Sequence, residues 1–366
     1  MKLAIGRNEL LKSVQSVIGA VSRGKQSLPI LTFIHVKSDG EEISLTATDL
    51  ETTLITRLEH TSEPFETMLP AKRLHDVLRA FQDGSTVGLE EKDGKTTIKC
   101  GRSRFVLTTM NPQDFPILTT SEPDYQITVD QALLKSMMSA TDYATAKQDV
   151  RYYLNGLMVE MSDKLSVVAT DGHRLACTAA EIGLPTDREN VVQVILPADA
   201  ASELKKLLND EEECEVSFTK NQCRVDMDTS TFVTKLIEGK FPDYRRVIPA
   251  NPTIKIQINR ELLLNAINRV RLVLNDKASG IELVMNDNTL TLIAKSNEEN
   301  AEEVLDIEYS GCENHIGFNY SYFIDALRVR ESENVLLKFT DMQSSVVIEG
   351  VDGEDGSLAV IMPMRL

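Results

Sequence analysis

The chain has 366 residues, 42% hydrophobic and 26% charged. That is enough apolar material for two or three domains with their own cores, and it excludes a disordered chain. The formal net charge of -17 excludes a uniformly basic nucleic-acid binder, although a local basic surface can hide inside such a sum.

The first seven residues, Met1 to Arg7, lack the apolar run of a signal peptide, and no window reaches the roughly 18 apolar residues of a membrane span. A cytoplasmic protein is therefore expected. The first element is a helix with Leu10, Leu11, Val14, Val17 and Ile18 on one face. A β-branched run follows at Ile43 to Asp49. Leu69-Pro70-Ala71 then opens a second helix carrying Leu74, Val77, Leu78 and Phe81, because the fixed φ of proline suits a first helical turn. Alternating strands surround Asp93-Gly94, which reads as a hairpin turn. Thr97 to Cys100 and Phe105 to Thr108 continue them, and Asp114-Phe115-Pro116 closes the set.

The same series then begins again. Leu133-Leu134-Lys135-Ser136-Met137 matches Leu10-Leu11-Lys12-Ser13-Val14, and Leu262 to Ala266 matches it more loosely. Leu165 to Asp171 and Leu290 to Ser296 repeat Ile43 to Asp49. Leu196-Pro197-Ala198 repeats Leu69-Pro70-Ala71, and a third copy begins near Phe318-Asn319-Tyr320. Lys240-Phe241-Pro242-Asp243 repeats Asp114-Phe115-Pro116. Asp130 and Asn259 are N-cap candidates for the helices that start the second and third copies. Four elements in one order at a spacing of about 120 residues define three tandem domains, with boundaries at 1–122, 123–250 and 251–366. Each copy reads as two helices packed on antiparallel strands, an α+β class.

The copies differ in charge. Residues 1–122 hold 15 Lys and Arg against 16 Asp and Glu, residues 123–250 hold 14 against 21, and residues 251–366 hold 10 against 19. Gly101-Arg102-Ser103-Arg104-Phe105 lies on an expected edge strand of the first copy, and the third copy carries Glu298, Glu299, Glu302 and Glu303 at a matching place. A basic edge and an acidic edge suit a head-to-tail contact between two chains. Lys12, Lys72, Arg73, Arg79, Lys135, Lys205, Lys206, Arg269, Arg271, Arg328 and Arg330 fall on or beside the six helices. They would make a modestly basic lining if all the helices faced one cavity.

Catalytic motifs are missing. Gly88 to Thr96 is one residue too long for a phosphate loop and has a strand-turn-strand context. Asp171-Gly172-His173-Arg174 reads as a turn, since its counterpart Asp49 has no following His. Cys100, Cys177, Cys214, Cys223 and Cys312 have no metal-ligand spacing and read as reduced, buried packing residues. No metal, no cofactor and no catalytic residue is expected.

Four stretches carry a family likeness: Gln148 to Gly156, Ala169 to Leu175, Phe241 to Val247, and Met362-Pro363-Met364-Arg365-Leu366. Over the whole chain, with its threefold organisation, the sequence resembles the bacterial DNA polymerase III beta subunits, the sliding clamps. The resemblance implies the DNA clamp fold, a ring-forming head-to-tail homodimer and a non-catalytic processivity role. It implies encircled double-stranded DNA bound without sequence preference, with Arg23, Lys25, Lys72, Gln148, Tyr152 and Tyr153 at DNA-contacting positions. It implies a pocket for the DNA polymerase III alpha subunit, the clamp loader complex and other proteins bearing a clamp-binding motif. The matching pocket residues are Leu154, Thr170, Gly172, His173, Arg174, Leu175, Pro242, Arg246, Val247, Asn319, Tyr322, Ser345, Val360, Met362, Pro363, Met364 and Arg365. For the dimer interface it implies Arg102, Arg104, Phe105 and Leu107 of one subunit against Leu272, Val273 and Glu298 to Glu303 of the next.

Overall fold

The structure is a computed structural model that describes residues 2–22, 28–116, 122–183, 191–275, 279–341, 343–353 and 356–365. These residues form two compact units, Met1–Leu133 with Ser202–Leu236, and Leu134–Ala201 with Ile237–Leu366. Six α-helices are present among the described residues: α1 (Arg7–Val17), α2 (Ala71–Ala80), α3 (Gln131–Ser139), α4 (Ala198–Leu207), α5 (Arg260–Val270) and α6 (Tyr320–Arg328). No helix among them is long and apolar enough to cross a membrane.

The odd-numbered helices start alike. Each follows a short strand, and its first backbone N–H donates to a carbonyl: Arg7 to Ser85 at 2.8 Å, Gln131 to Glu212 at 2.9 Å and Arg260 to Glu333 at 2.9 Å. Asp130 accepts from the Leu133 N–H at 2.8 Å, and Asn259 accepts from Glu261 and Leu262 at 3.1 Å. Both N-caps expected from sequence are thus in use. The common start also corrects the helix alignment by one residue. Leu10 corresponds to Leu134 and Leu263, which are all buried, as are the sets Val14, Met138, Ile267 and Val17, Thr141, Val270. The Leu-Leu-Lys likeness matches Leu10 to Leu133 instead. The burial phase of the helix overrides it, because only residues on the inward face keep a common environment.

The strands form four antiparallel sheets. In the first unit, an eight-stranded sheet takes four strands from the first repeat and four from the second. They join where Thr52–Glu59 pairs with Ser230–Lys235, Leu54 opposite Phe232. In the second unit, an eight-stranded sheet takes four strands each from the second and third repeats. These join where Arg174–Ala180 pairs with Ser357–Ile361, Ala176 opposite Ala359. Each unit also holds a four-stranded sheet. One ends in Ser103–Thr108 and the other in Asn300–Asp306, and the outer side of each of these strands has no partner among the described residues.

The cores are ordinary. In the second unit, α5 and α6 bury Leu263, Ile267, Phe323 and Leu327 among strand residues, with the Phe318 ring 5.2 Å from Phe323 and 6.4 Å from Phe339. In the first unit, Leu10, Val14, Val17, Leu74 and Leu78 are buried. Asp93 and Gly94 both have positive φ, 54° and 69°, between strands paired Lys92 to Lys95, the two-residue turn the sequence indicates.

Candidate functional site

The second unit holds a pocket of about 240 Å³ where second-repeat and third-repeat segments meet. Its floor is apolar: Leu154, Leu175 and Val360 are buried, and Val247 and Met362 stand half-open at the mouth. Of the residues implied by the family likeness, Leu154, Thr170, Gly172, Arg174, Leu175, Pro242, Val247, Val360 and Met362 line it.

The others stand beside it. The His173 carbonyl accepts from the Met362 N–H at 2.9 Å, and the Met364 N–H donates to Gly317 at 2.8 Å. These bonds tie the C-terminal segment down along both sides. Pro363 and Arg365 continue that segment, Arg365 exposed. Arg246 is exposed and pairs with Asp243 at 2.9 Å. Asn319 caps α6 by accepting from the Ser321 N–H at 2.9 Å. Ser345 is half-buried just ahead of the strand Val346–Gly350.

Arg174 is the most constrained side chain of the rim. Its guanidinium donates to Asp171 at 3.1 Å and to Asp325 at 2.7 Å. It lies 4.5 Å from the Tyr322 ring centroid and 5.5 Å from that of Tyr143, within cation–π range of both. Tyr322 does not line the pocket and meets it through Arg174. Burial raises the Tyr143 hydroxyl pKa to about 12, so the ring stays neutral beside the cation.

Four further lining residues were missed in the sequence reading: Arg151, Asp243 and Tyr244, and Tyr153 in its pocket role. All four lie inside the quoted family stretches, so adjacency was the available signal. Behind Tyr244, the buried carboxylate of Glu160 accepts from Gln193 at 2.6 Å and pairs with Arg245, whose guanidinium lies 4.5 Å from the Tyr244 ring. No sequence pattern indicates that arrangement. Burial holds the Cys177 thiol at a pKa of about 11, too high for a reactive thiolate, whereas Cys312 is exposed and not the buried packing residue its sequence suggests.

Gln148, Tyr152 and Tyr153 share one loop. Asn155 closes it by accepting from the Asp149 N–H at 2.9 Å and donating to the Asp149 carbonyl at 3.0 Å. Asp149 accepts from the Arg151 side chain at 3.0 and 2.9 Å and from its backbone N–H at 2.8 Å. Gln148 is exposed in the left-handed region at φ 56°, and Tyr152 is exposed with its ring 6.0 Å from Tyr153. Lys72 is exposed at the start of α2 in the other unit. Arg23 and Lys25 lie outside the described residues. Arg330 cannot line any cavity. It is buried and donates to the carbonyls of Ile348 at 2.8 Å and Ser357 at 3.0 Å.

The expected interface residues lie on or beside the two strands whose outer sides have no partner among the described residues. Arg102, Arg104 and Phe105 are exposed, and Leu107 is half-buried. On the other edge, Glu298, Glu299 and Glu302 are exposed, with Leu272 exposed and Val273 half-buried nearby in sequence to α5. Glu303 is already engaged, paired with Arg269 of its own chain at 2.5 Å. Among the described residues no group of three or more His, Cys, Asp or Glu could hold a metal ion.

Comparison with known proteins covers the chain end to end. Three family models match: the DNA polymerase III beta subunit N-terminal domain at residues 1–119, the central domain at 128–243 and the C-terminal domain at 245–365. The beta sliding clamp of Escherichia coli (strain K12) is 38% identical over 373 residues, covering all of both chains. The DNA polymerase III subunit beta of Pseudomonas aeruginosa superposes with a TM-score of 0.94 at 37% identity, again over all of both chains. A Pseudomonas aeruginosa sliding clamp bound to griselimycin gives 0.95 at 36% identity with the same coverage.

Proposed function

The chain belongs to the DNA polymerase III beta-subunit family, the sliding clamps, and we propose that two copies join head to tail into a closed ring around duplex DNA. The family consists of processivity subunits and not of catalysts. The observation that carries the ring is a repeated junction. Ser103, Ser230 and Ser357 begin equivalent strands, and Thr52–Glu59, Arg174–Ala180 and Asn300–Asp306 are equivalent to one another. Two of these three pairs are already formed within the chain. The third pair consists of the two free edges, and an open strand edge with exposed apolar side chains is a ready template for a second chain.

The formed junctions also supply a register for the third. Thr52 pairs with Thr234, and Arg174 pairs with Ile361. The equivalent residues place Glu299 opposite Leu107 of the partner subunit, Ala301 opposite the partner's Phe105 and Glu302 opposite the partner's Arg104. An acidic and a basic side chain then face each other across the ladder, a favourable cross-strand pair. Leu272 and Val273 add apolar cover next to Phe105 and Leu107.

The chain works as three clamp domains, 1–122, 123–250 and 251–366, whose strands are shared across the junctions. It resides in the cytoplasm, where the replication machinery operates. Its acidic body repels DNA in general. Lys72 and the Gln148, Tyr152, Tyr153 loop, with Arg23 or Lys25, supply a sparse set of contacts to the enclosed duplex. Few phosphate contacts and no base readout leave the ring free to slide. The pocket around Leu175 and Val360 takes apolar peptide segments of the DNA polymerase III alpha subunit, the clamp loader complex and other proteins bearing a clamp-binding motif. Met362 gives it an adaptable wall, with Met364 beside it. Sedimentation of the purified chain tests the assembly: a dimer of the 40.8 kDa subunit is expected, and a persistent monomer overturns it.

A further inference from the structure

Two turns in this chain have one hydrogen-bond pattern. In the first, Thr48 Oγ1 accepts from the Leu50 N–H at 3.1 Å and donates to the Thr52 carbonyl at 3.0 Å. Asp49 accepts from the N–H groups of Glu51 and Thr52 at 3.0 and 2.7 Å. In the second, Thr170 Oγ1 accepts from the Gly172 N–H at 3.1 Å and donates to the Arg174 carbonyl at 2.6 Å. Asp171 accepts from the N–H groups of His173 and Arg174 at 2.8 and 3.0 Å. The central residue is left-handed in both, with φ 80° at Leu50 and 89° at Gly172. Leucine rarely adopts that conformation, so this turn tolerates a bulky side chain at a strain of about 1 kcal/mol.

The apolar clusters beside the two turns also correspond. Leu31 matches Leu154, Met68 matches Ile195, Met110 matches Ile237, and Phe115 matches Phe241. Leu50 packs against the first cluster. At the second, the matching residue is a glycine, and it borders the pocket.

We propose that Gly172 is the residue that opens the pocket, its place at the first junction being taken by Leu50, whose side chain packs onto the apolar cluster there. This rests on the pocket being the peptide site. A Cβ at Gly172 would lie 3.0 and 3.1 Å from the guanidinium nitrogens of Arg151, the movable end of a long side chain. A leucine there adopts the backbone Leu50 already shows and fills the volume over Leu154.

The test measures binding of purified DNA polymerase III alpha subunit to full-length wild type, Gly172→Ala, Gly172→Leu and Gly172→Asn, with dimer mass checked for each. Alanine carries the backbone strain without the volume. Asparagine fills space while tolerating a left-handed φ. Wild type binds, alanine stays within about threefold, and leucine and asparagine lose more than about tenfold, where each tenfold corresponds to about 1.4 kcal/mol. Wild-type affinity in a dimeric leucine or asparagine variant overturns the role of Gly172, as does a loss in alanine equal to that in leucine. Absence of binding by wild type itself overturns the peptide-site reading on which the role depends.

Discussion

The Arg174 guanidinium donates to Asp325 Oδ2 at 2.7 Å, which ties the first residue of a second-repeat strand to the last helix of the third repeat. Asp171 holds the same guanidinium from its own turn, and Tyr322 and Tyr143 flank it. The pocket rim is therefore fixed before any partner arrives, and a preorganised rim lowers the ordering cost of binding. Replacing Asp325 with alanine releases one side of this arrangement. Because Asp325 is partly exposed, the effect is modest, about 1 kcal/mol or roughly fivefold in affinity for the polymerase alpha subunit. A binding titration checks it, alongside an unchanged dimer mass. An Asp325→Ala variant with wild-type affinity would show that Arg174 needs no help from α6.

The register proposed for the free edges makes a charge-reversal prediction. Arg104→Glu sets two acids opposite each other at both interfaces of the ring, and like charges so placed cost several kcal/mol. Dimerisation should weaken by more than about tenfold. Combining it with Glu302→Arg should restore most of the loss, because the pair is reversed and not removed. Sedimentation equilibrium at several concentrations reads both variants. Failure of the second substitution to rescue the first rules out this register.

The loop bearing Gln148 and Tyr152 is held by Asp149, whose carboxylate pKa is lowered to about 2, chiefly by the hydrogen bonds from the Arg151 side chain and then by the Arg151 backbone N–H. A folded pKa below the unfolded value near 3.8 means that this contribution is present above pH 3.8 and is lost as the pH falls through about 2. A carbon-detected NMR titration of the Asp149 carboxyl group should therefore give a midpoint well below 3.8 in wild type and a higher one in Arg151→Ala. A wild-type midpoint near 4 contradicts the assigned role of Arg151.

The repeat, the helix faces and the N-caps were legible in the sequence, because apolar spacing and capping chemistry are local. The helix phase was not. Leu133 and Leu134 are indistinguishable as letters, and only burial identifies Leu134 as the partner of Leu10. Arg330 shows the opposite failure. It reads as a solvated helix-end cation, yet it is buried on the carbonyls of Ile348 and Ser357, and nothing in its neighbours signals that. Eight of the nine expected lining residues lie in the four family stretches, which converge on the pocket, and Val360 lies just ahead of the last of them. The Glu160–Arg245 pair behind its wall joins the strand Gly156–Met161 to the turn Tyr244–Val247, far apart in sequence, so no local pattern exposes it. The edge strands were readable as charged segments, but the proposal that they form a third junction rests on the two pairings already made within the chain.

Encirclement is the central claim, and topology tests it most directly. The protein is assembled with its clamp loader on a nicked circular plasmid, purified away from free protein, and followed by gel filtration before and after a single restriction cut. A closed ring stays with the circle at elevated salt and leaves once the DNA has ends. Equal retention on circular and linear DNA would contradict encirclement and identify an ordinary surface binder.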